Sequence, residues 1–289
     1  NWGNAANEVG TVVDGSGPTD TMFVDTNVVG GNTYYYRLTY VDSALFENES
    51  FFTDTKFVVA DSSPAPPAPP KTWFVNDNST AGDSFVTAVG ADTNTGDSPA
   101  SPFLTITKAL QLAKAKDTIQ VDVGTFAETV VIDTNDLTLA GVDSRLTVIN
   151  PPGANTTAGL KGILVQNCLR VTIKNLAVID AYQGIRLTNV KNSVISNDSV
   201  AQCGDVGIFI TVGSDSNIVS NNMTQNCASY SIQMDSGTSN AFNNNTLDSN
   251  GYGILFFAAG NSMTGNIVRK NLNIGIYLSA GGNDNKIET

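Results

Sequence analysis

The sequence predicts an all-β chain in which a stack of parallel coils follows a smaller antiparallel β module. Three observations carry this. A short apolar phrase returns at near-constant spacing between Gly162 and Leu278, no part of that stretch has room for a helix, and a proline run from Pro64 to Pro70 separates it from an N-terminal part rich in Tyr, Val and turn residues.

The phrase begins at Gly162, Gly184, Gly207, Ser231, Gly253 and Gly275, at spacings of 22, 23, 24, 22 and 22 residues. A second phrase interleaves at Val171–Asn175, Val194–Asn197, Ile218–Asn221, Phe242–Asn244 and Met263–Asn266. A fixed period of this size marks a stacked repeat, and alternation of apolar and polar residues marks strands with one buried face. Each repeat is then one coil of about three short strands, hydrogen-bonded to its neighbours about 4.8 Å away. The spacing stacks Ile163, Ile185, Ile208, Ile232, Ile254 and Ile276 in one inward column. Val165, Leu187, Ile210, Met234, Phe256 and Leu278 form a second. Asn suits the corners because it tolerates left-handed backbone and bonds its own main chain, and stacked amides can bond from coil to coil. With these features, residues 73–289 resemble the right-handed parallel β-helix family, in particular its NosD-like and pectate-lyase-like repeats. The resemblance implies the fold; the family serves lyases, hydrolases, epimerases, adhesins and structural proteins alike.

Along the chain, residues 1–63 read as short strands with turn signals. Gly31-Asn-Thr-Tyr-Tyr-Tyr-Arg-Leu-Thr-Tyr-Val-Asp42 resembles the penultimate strand region of a fibronectin type III domain, with the last strand near Thr55–Ala60. That implies a partial β-sandwich and a chain that is a piece of a longer protein. Residues 64–71 form a semi-rigid proline spacer. The β-helix occupies 72–289, with a cap over 72–117 and coils over 118–289. In the cap, Ser101 is the expected helix N-cap, with Pro102 at the first helical position. Phe103, Ile106, Leu110 and Ala113 share one helical face, so this short helix would close the apolar end of the stack. The order Trp73-Phe-Val, Gly96-Asp-Ser-Pro99, helix, Val123-Gly-Thr-Phe-x-Glu128 resembles the cap of the same family. Pro151–Gly159 reads as an inserted loop of the kind that carries binding in repeat folds.

Net charge is −12, of which −7 falls on residues 1–63. This argues against nucleic acid or an anionic membrane surface as partner, and no run of 18 apolar residues signals membrane insertion. The chain has no histidine, which removes imidazole bases, Ser-His-Asp and Cys-His catalysis and His metal sites. Of the cysteines Cys168, Cys203 and Cys227, the last two stand at equivalent repeat positions, where a rung separation permits a disulfide; buried free thiols are the alternative. Asp92, Asn94 and Asp97 have the alternate spacing of Ca²⁺ ligands, without the bidentate Glu of a full loop. Six Asn-x-Ser/Thr sequons occur, at Asn48, Asn78, Asn155, Asn197, Asn222 and Asn244. Asn48, Asn78 and Asn155 fall in loops and are the candidates for glycosylation.

Chemistry without histidine leaves a carboxylate pair, or an Arg or Lys base beside Ca²⁺. Asp180, Asp198, Asp205, Asp215, Asp235 and Asp248 lie on the regular coils with Arg186 and Lys191, yet no catalytic motif matches residue for residue. The outward positions offer a binding surface instead: Arg186, Phe209, Gln233, Leu255 and Tyr277 in one column, Asp235 and Phe257 in the next. A contiguous exposed apolar patch marks a contact face, for sugar rings or for other copies of the chain in an oligomer or filament. The sequence therefore predicts a non-enzymatic extracellular or cell-surface β-helix protein, structural or adhesive, needing no cofactor beyond a candidate Ca²⁺. A lyase or hydrolase of acidic polysaccharide is the alternative. A NosD-like metal-handling role is disfavoured by the absent histidine.

Overall fold

The structure is a computed structural model that describes residues 28–36, 56–59, 69–279, 282 and 284–288. The chain divides into two compact units, 1–68 and 69–289. In the first, Thr33–Tyr36 pairs antiparallel with Lys56–Val59. Of the region where a fibronectin-like module is expected, the described residues hold this strand pair and residues 28–32 before it. The remainder of its phrase (37–42), Asn48 and residues 64–68 of the spacer lie outside them.

The second unit is the right-handed β-helix. Its strands form three parallel sheets, of nine, seven and seven strands, and successive coils place one strand in each. Sheet 1 runs from Thr72–Val75 to Lys286–Glu288, sheet 2 from Gly124–Phe126 to Ile267–Arg269, and sheet 3 from Val130–Ile132 to Ile276–Leu278. Alternate residues point inward because the side-chain period of a strand is two. In sheet 3 the register stacks Val130, Ile163, Ile185, Ile208, Ile232, Ile254 and Ile276 in one column. The column is buried as far as Ile254, whereas Ile276 and Leu278 on the last strand of the sheet are exposed. Sheet 1 contributes Ile119, Leu139, Ile173, Ile195, Val219, Phe242 and Met263 to the same interior. Phe242 meets Phe256 across it, with ring centroids 5.0 Å apart. Each fully buried large apolar side chain contributes roughly 1.5–3 kcal/mol, so the stack is held by its summed columns.

The recurring glycine has a packing cause. At Gly184 a Cβ would stand 2.3 Å from Val200 Cγ1 and 2.6 Å from the Gly207 carbonyl, so sheets 2 and 3 close only over a bare backbone. Ser231 breaks the series. Its hydroxyl meets that of Thr224, the sheet 2 residue that also stands 3.4 Å from a Cβ placed on Gly207. Corners turn through left-handed backbone, as at Asn175, Asn197, Asn221 and Asn244. Just after them run buried side-chain ladders. Ser193, Asn217, Asn240, Asn261 and Asn285 link the coils between sheets 3 and 1. Asp198, Asn222, Asn245 and Asn266 do so between sheets 1 and 2. Cys227, Asn250 and Asn271 continue the device at the third corner.

The cap differs from its expected details. The helix is Ile106–Leu112, with Thr105 as N-cap, not Ser101. Ser101 bonds Thr95 instead. Phe103 stays extended: its backbone bonds Phe74 and Asn76, and its ring stacks on Trp73. A side chain at Gly96, φ +68°, would collide with that ring. Glu128 closes the first turn by accepting from the Ile106 and Thr107 amides, both at 2.8 Å. Among the described residues no helix is long and apolar enough to cross a membrane.

Candidate binding face on sheet 3

The outward side of sheet 3 carries the predicted surface. Parallel register places Val131, Leu164, Arg186, Phe209, Gln233, Leu255 and Tyr277 one above another. The column spans about 29 Å at ~4.8 Å per rung. Its exposure is uneven. Phe257 and Tyr277 are 45% and 44% exposed, but Phe209 is 9% and Leu255 only 2%. Neither Phe209 nor Leu255 is therefore part of an open patch, contrary to expectation. Alternation fixes which way a side chain points and says nothing of what lies over it. Over Phe209 lies the Arg186 guanidinium, 5.0 Å from the ring centroid.

Arg186 is itself held in place. It donates to Gln183 Oε1 at 3.0 Å and to Thr188 Oγ1 at 3.2 Å, and Gln183 in turn donates to Asp205 at 3.3 Å. Farther along, Gln233 donates to Asp235 at 2.7 Å. Two tyrosines that sequence reasoning missed complete the face. Tyr230 and Tyr252 sit in register on adjacent strands with ring centroids 4.7 Å apart. Both are half-buried. Burial raises the Tyr230 pKa, and nearby Tyr252 and Tyr277 raise it further. The signal was present, since each immediately precedes the first residue of the repeated phrase, 22 residues apart. This C-terminal half of the face combines aromatic rings, phenol hydroxyls, an amide and a carboxylate. Such a mixture can pack against an apolar surface and exchange hydrogen bonds in the same contact.

Residues 145–289, half of the chain, match the family model of the right handed beta helix region. The chain belongs to the right-handed β-helix family. Residues 88–131 match a family of unknown function, DUF1565. No curated protein matches the sequence. Among solved structures, pectate lyase Pel9A is similar at 15% identity and TM-score 0.58, covering 71% of this chain and 56% of Pel9A. ORF18 of Geobacillus virus E2 is similar at 12% identity and TM-score 0.51, covering 60% of this chain and 40% of that one. These likenesses are of fold, and the chain spans about half the length of either structure.

Elsewhere on this β-helix the predicted sites fare differently. Asp92, Asn94 and Asp97 are each engaged by local contacts. Asp92 accepts from the Leu104 and Thr105 amides, Asn94 donates to the Pro102 carbonyl, and Asp97 accepts from Thr95. No group of three or more metal-ligating His, Cys, Asp or Glu gathers among the described residues. Cys203 and Cys227 stand on adjacent rungs, but as free buried thiols, so the bridge is not formed. The neighbouring Cys227 and burial both push the Cys203 thiol pKa up. Asn78 is exposed. Asn155 is half-buried and donates to the Gln202 carbonyl at 2.9 Å, tying the inserted loop to the corner two coils on. Asn222 is buried in its ladder. Asp215 and Asp248 pair with Lys191 and Arg269, whereas Asp198 is enclosed.

Proposed function

We propose that the protein is a non-enzymatic, extracellular β-helix protein that holds carbohydrate on the outward face of sheet 3. The observation that carries this is the gathering of Tyr230, Tyr252 and Tyr277 on successive strands of sheet 3, the first of which also leads into the Gln233–Asp235 pair. A sugar ring offers an apolar face and a rim of hydroxyls. An exposed ring such as Tyr277 can cover the first, and phenol, amide and carboxylate groups can bond the second. The rungs repeat along the face at a rise comparable to one pyranose unit, which suits a polymer lying along the stack.

Charge selects among glycans. The face carries Asp205 and Asp235, and the chain as a whole is at −12, which disfavours polyuronates. Pectate, the substrate in the name of Pel9A, is a polyuronate. Arg186, the sequence-based candidate for a lyase base, is engaged with Gln183, Thr188 and Phe209. A neutral glycan is therefore the better ligand. An extracellular setting is supported by the exposed sequon at Asn78, and intact-mass measurement of the native protein tests for a glycan there.

Affinity electrophoresis through gels containing a neutral glucan or polygalacturonate tests the binding. Retardation by the neutral polymer is expected, and Tyr277→Ala should weaken it about tenfold, the equivalent of ~1.4 kcal/mol. Equal retardation of Tyr277→Ala and the parent would remove the face from the account. Release of unsaturated oligosaccharides from polygalacturonate would replace binding by lyase activity.

A further inference from the structure

The ladder between sheets 1 and 2 contains one residue that does not match its neighbours. Each asparagine there serves two directions. Asn222 Oδ1 accepts the Asp198 amide at 2.9 Å, and its Nδ2 donates to the Ile195 carbonyl at 2.9 Å and to Asn245 Oδ1 at 3.1 Å. Asn245 repeats the pattern, accepting from the Asn222 amide and donating to the Val219 carbonyl and to Asn266 Oδ1.

Asp198 occupies the same place one coil earlier and is 2% exposed. Its Oδ1 behaves as the asparagine oxygens do, accepting the Leu176 amide at 3.0 Å. Its Oδ2 stands where the asparagines carry Nδ2, and it has no hydrogen-bond partner. Ile173 pairs in register with Ile195. The acceptors facing that atom are therefore the Ile173 carbonyl and Asn222 Oδ1, by the same ladder pattern. An ionised carboxylate would set an unpaired, acceptor-only atom against two acceptors in a dry corner.

We propose that Asp198 is a neutral carboxylic acid in the folded coil, its Oδ2–H donating along the ladder in place of an amide, and that this rung is a pH-sensitive joint. The groups acting on it from the adjacent coil and its own strand are the amides of Leu176 and Ser196, while Asn222 faces it from the following coil. None of these carries a charge. Burial drives the carboxyl pKa well up, and the two amides oppose this only in part. Because the folded pKa lies above the unfolded value of about 3.9, the contribution to stability is complete below that pH. It is lost progressively as pH rises toward the folded pKa.

Asp198→Asn restores the amide that every later rung has, and should keep its donor at all pH. Thermal unfolding is expected to show parent and Asp198→Asn melting together near pH 4, with the variant melting several degrees higher at pH 8. In the unaltered protein, the ¹³C shift of the Asp198 carboxyl at pH 5.5 should be that of a protonated acid. A melting difference independent of pH, a variant less stable at pH 8, or an ionised Asp198 at pH 5.5 would each overturn the proposal.

Discussion

Ser231 and Thr224 show how one side chain is chosen by another. Val178 and Val200 leave no room for a Cβ at Gly162 and Gly184; Thr224, which stands against Gly207, also meets the Ser231 hydroxyl seven residues on. Thr224→Val alone leaves the Ser231 hydroxyl buried without a partner, at a cost of about 1–3 kcal/mol. Combining it with Ser231→Gly should recover most of that loss, measured as a double-mutant cycle by denaturant unfolding. The cysteines belong to the same scale. Burial pushes the Cys168 thiol pKa up to about 11, and Cys203 and Cys227 are equally enclosed. A thiol-specific reagent should label none of the three in the folded protein at pH 8 and all three after denaturation; rapid labelling of native Cys203 would contradict its burial. Little of this was legible beforehand. The exposed state of Tyr277 and the covered state of Phe209 follow from neighbours such as Arg186, and spacing in a sequence does not reveal neighbours across coils.

Among the elements, the corners separate two kinds of asparagine that look alike in the sequence. Asn221 and Asn244 turn the chain with positive φ, whereas Asn240 lies buried and bonds Asn217 on one side and Asn261 on the other. Asn240→Ala should cost about 2–3 kcal/mol, because partners above and below lose their bonds in a dry site. Asn221→Ala should cost about 1 kcal/mol, the strain of an ordinary side chain in left-handed backbone. Equal losses in urea titrations would show that the ladders do not hold the coils. That asparagines would stack was readable from their period, but which of each pair turns inward depends on backbone conformation. The helix start illustrates the opposite failure. Ser101-Pro102 carries a good local cap signal, yet the pairing of Phe103 with sheet 1 and the reach of Glu128 move the start to Ile106. Tertiary contacts outweighed a local preference.

For the whole molecule, the period of the apolar phrase was enough to set the coil, the three sheets and the inward isoleucine column, because each repeat repeats the same burial decision. It could not set the function, because the outward residues are not held by the burial that fixes the period. Asp92, Asn94 and Asp97 show the same limit, since the bonds that hold each one within its turn are not revealed by their spacing. The candidate face was found as a column, but its most distinctive pair, Tyr230 and Tyr252, lies three residues before that column on the same strands. The most direct test is a crystal structure of the protein soaked with a neutral oligosaccharide. Ordered sugar density along sheet 3, in contact with Tyr252 and Tyr277, is the predicted result. Sugar bound on another sheet, or no sugar at saturating concentration, would contradict it.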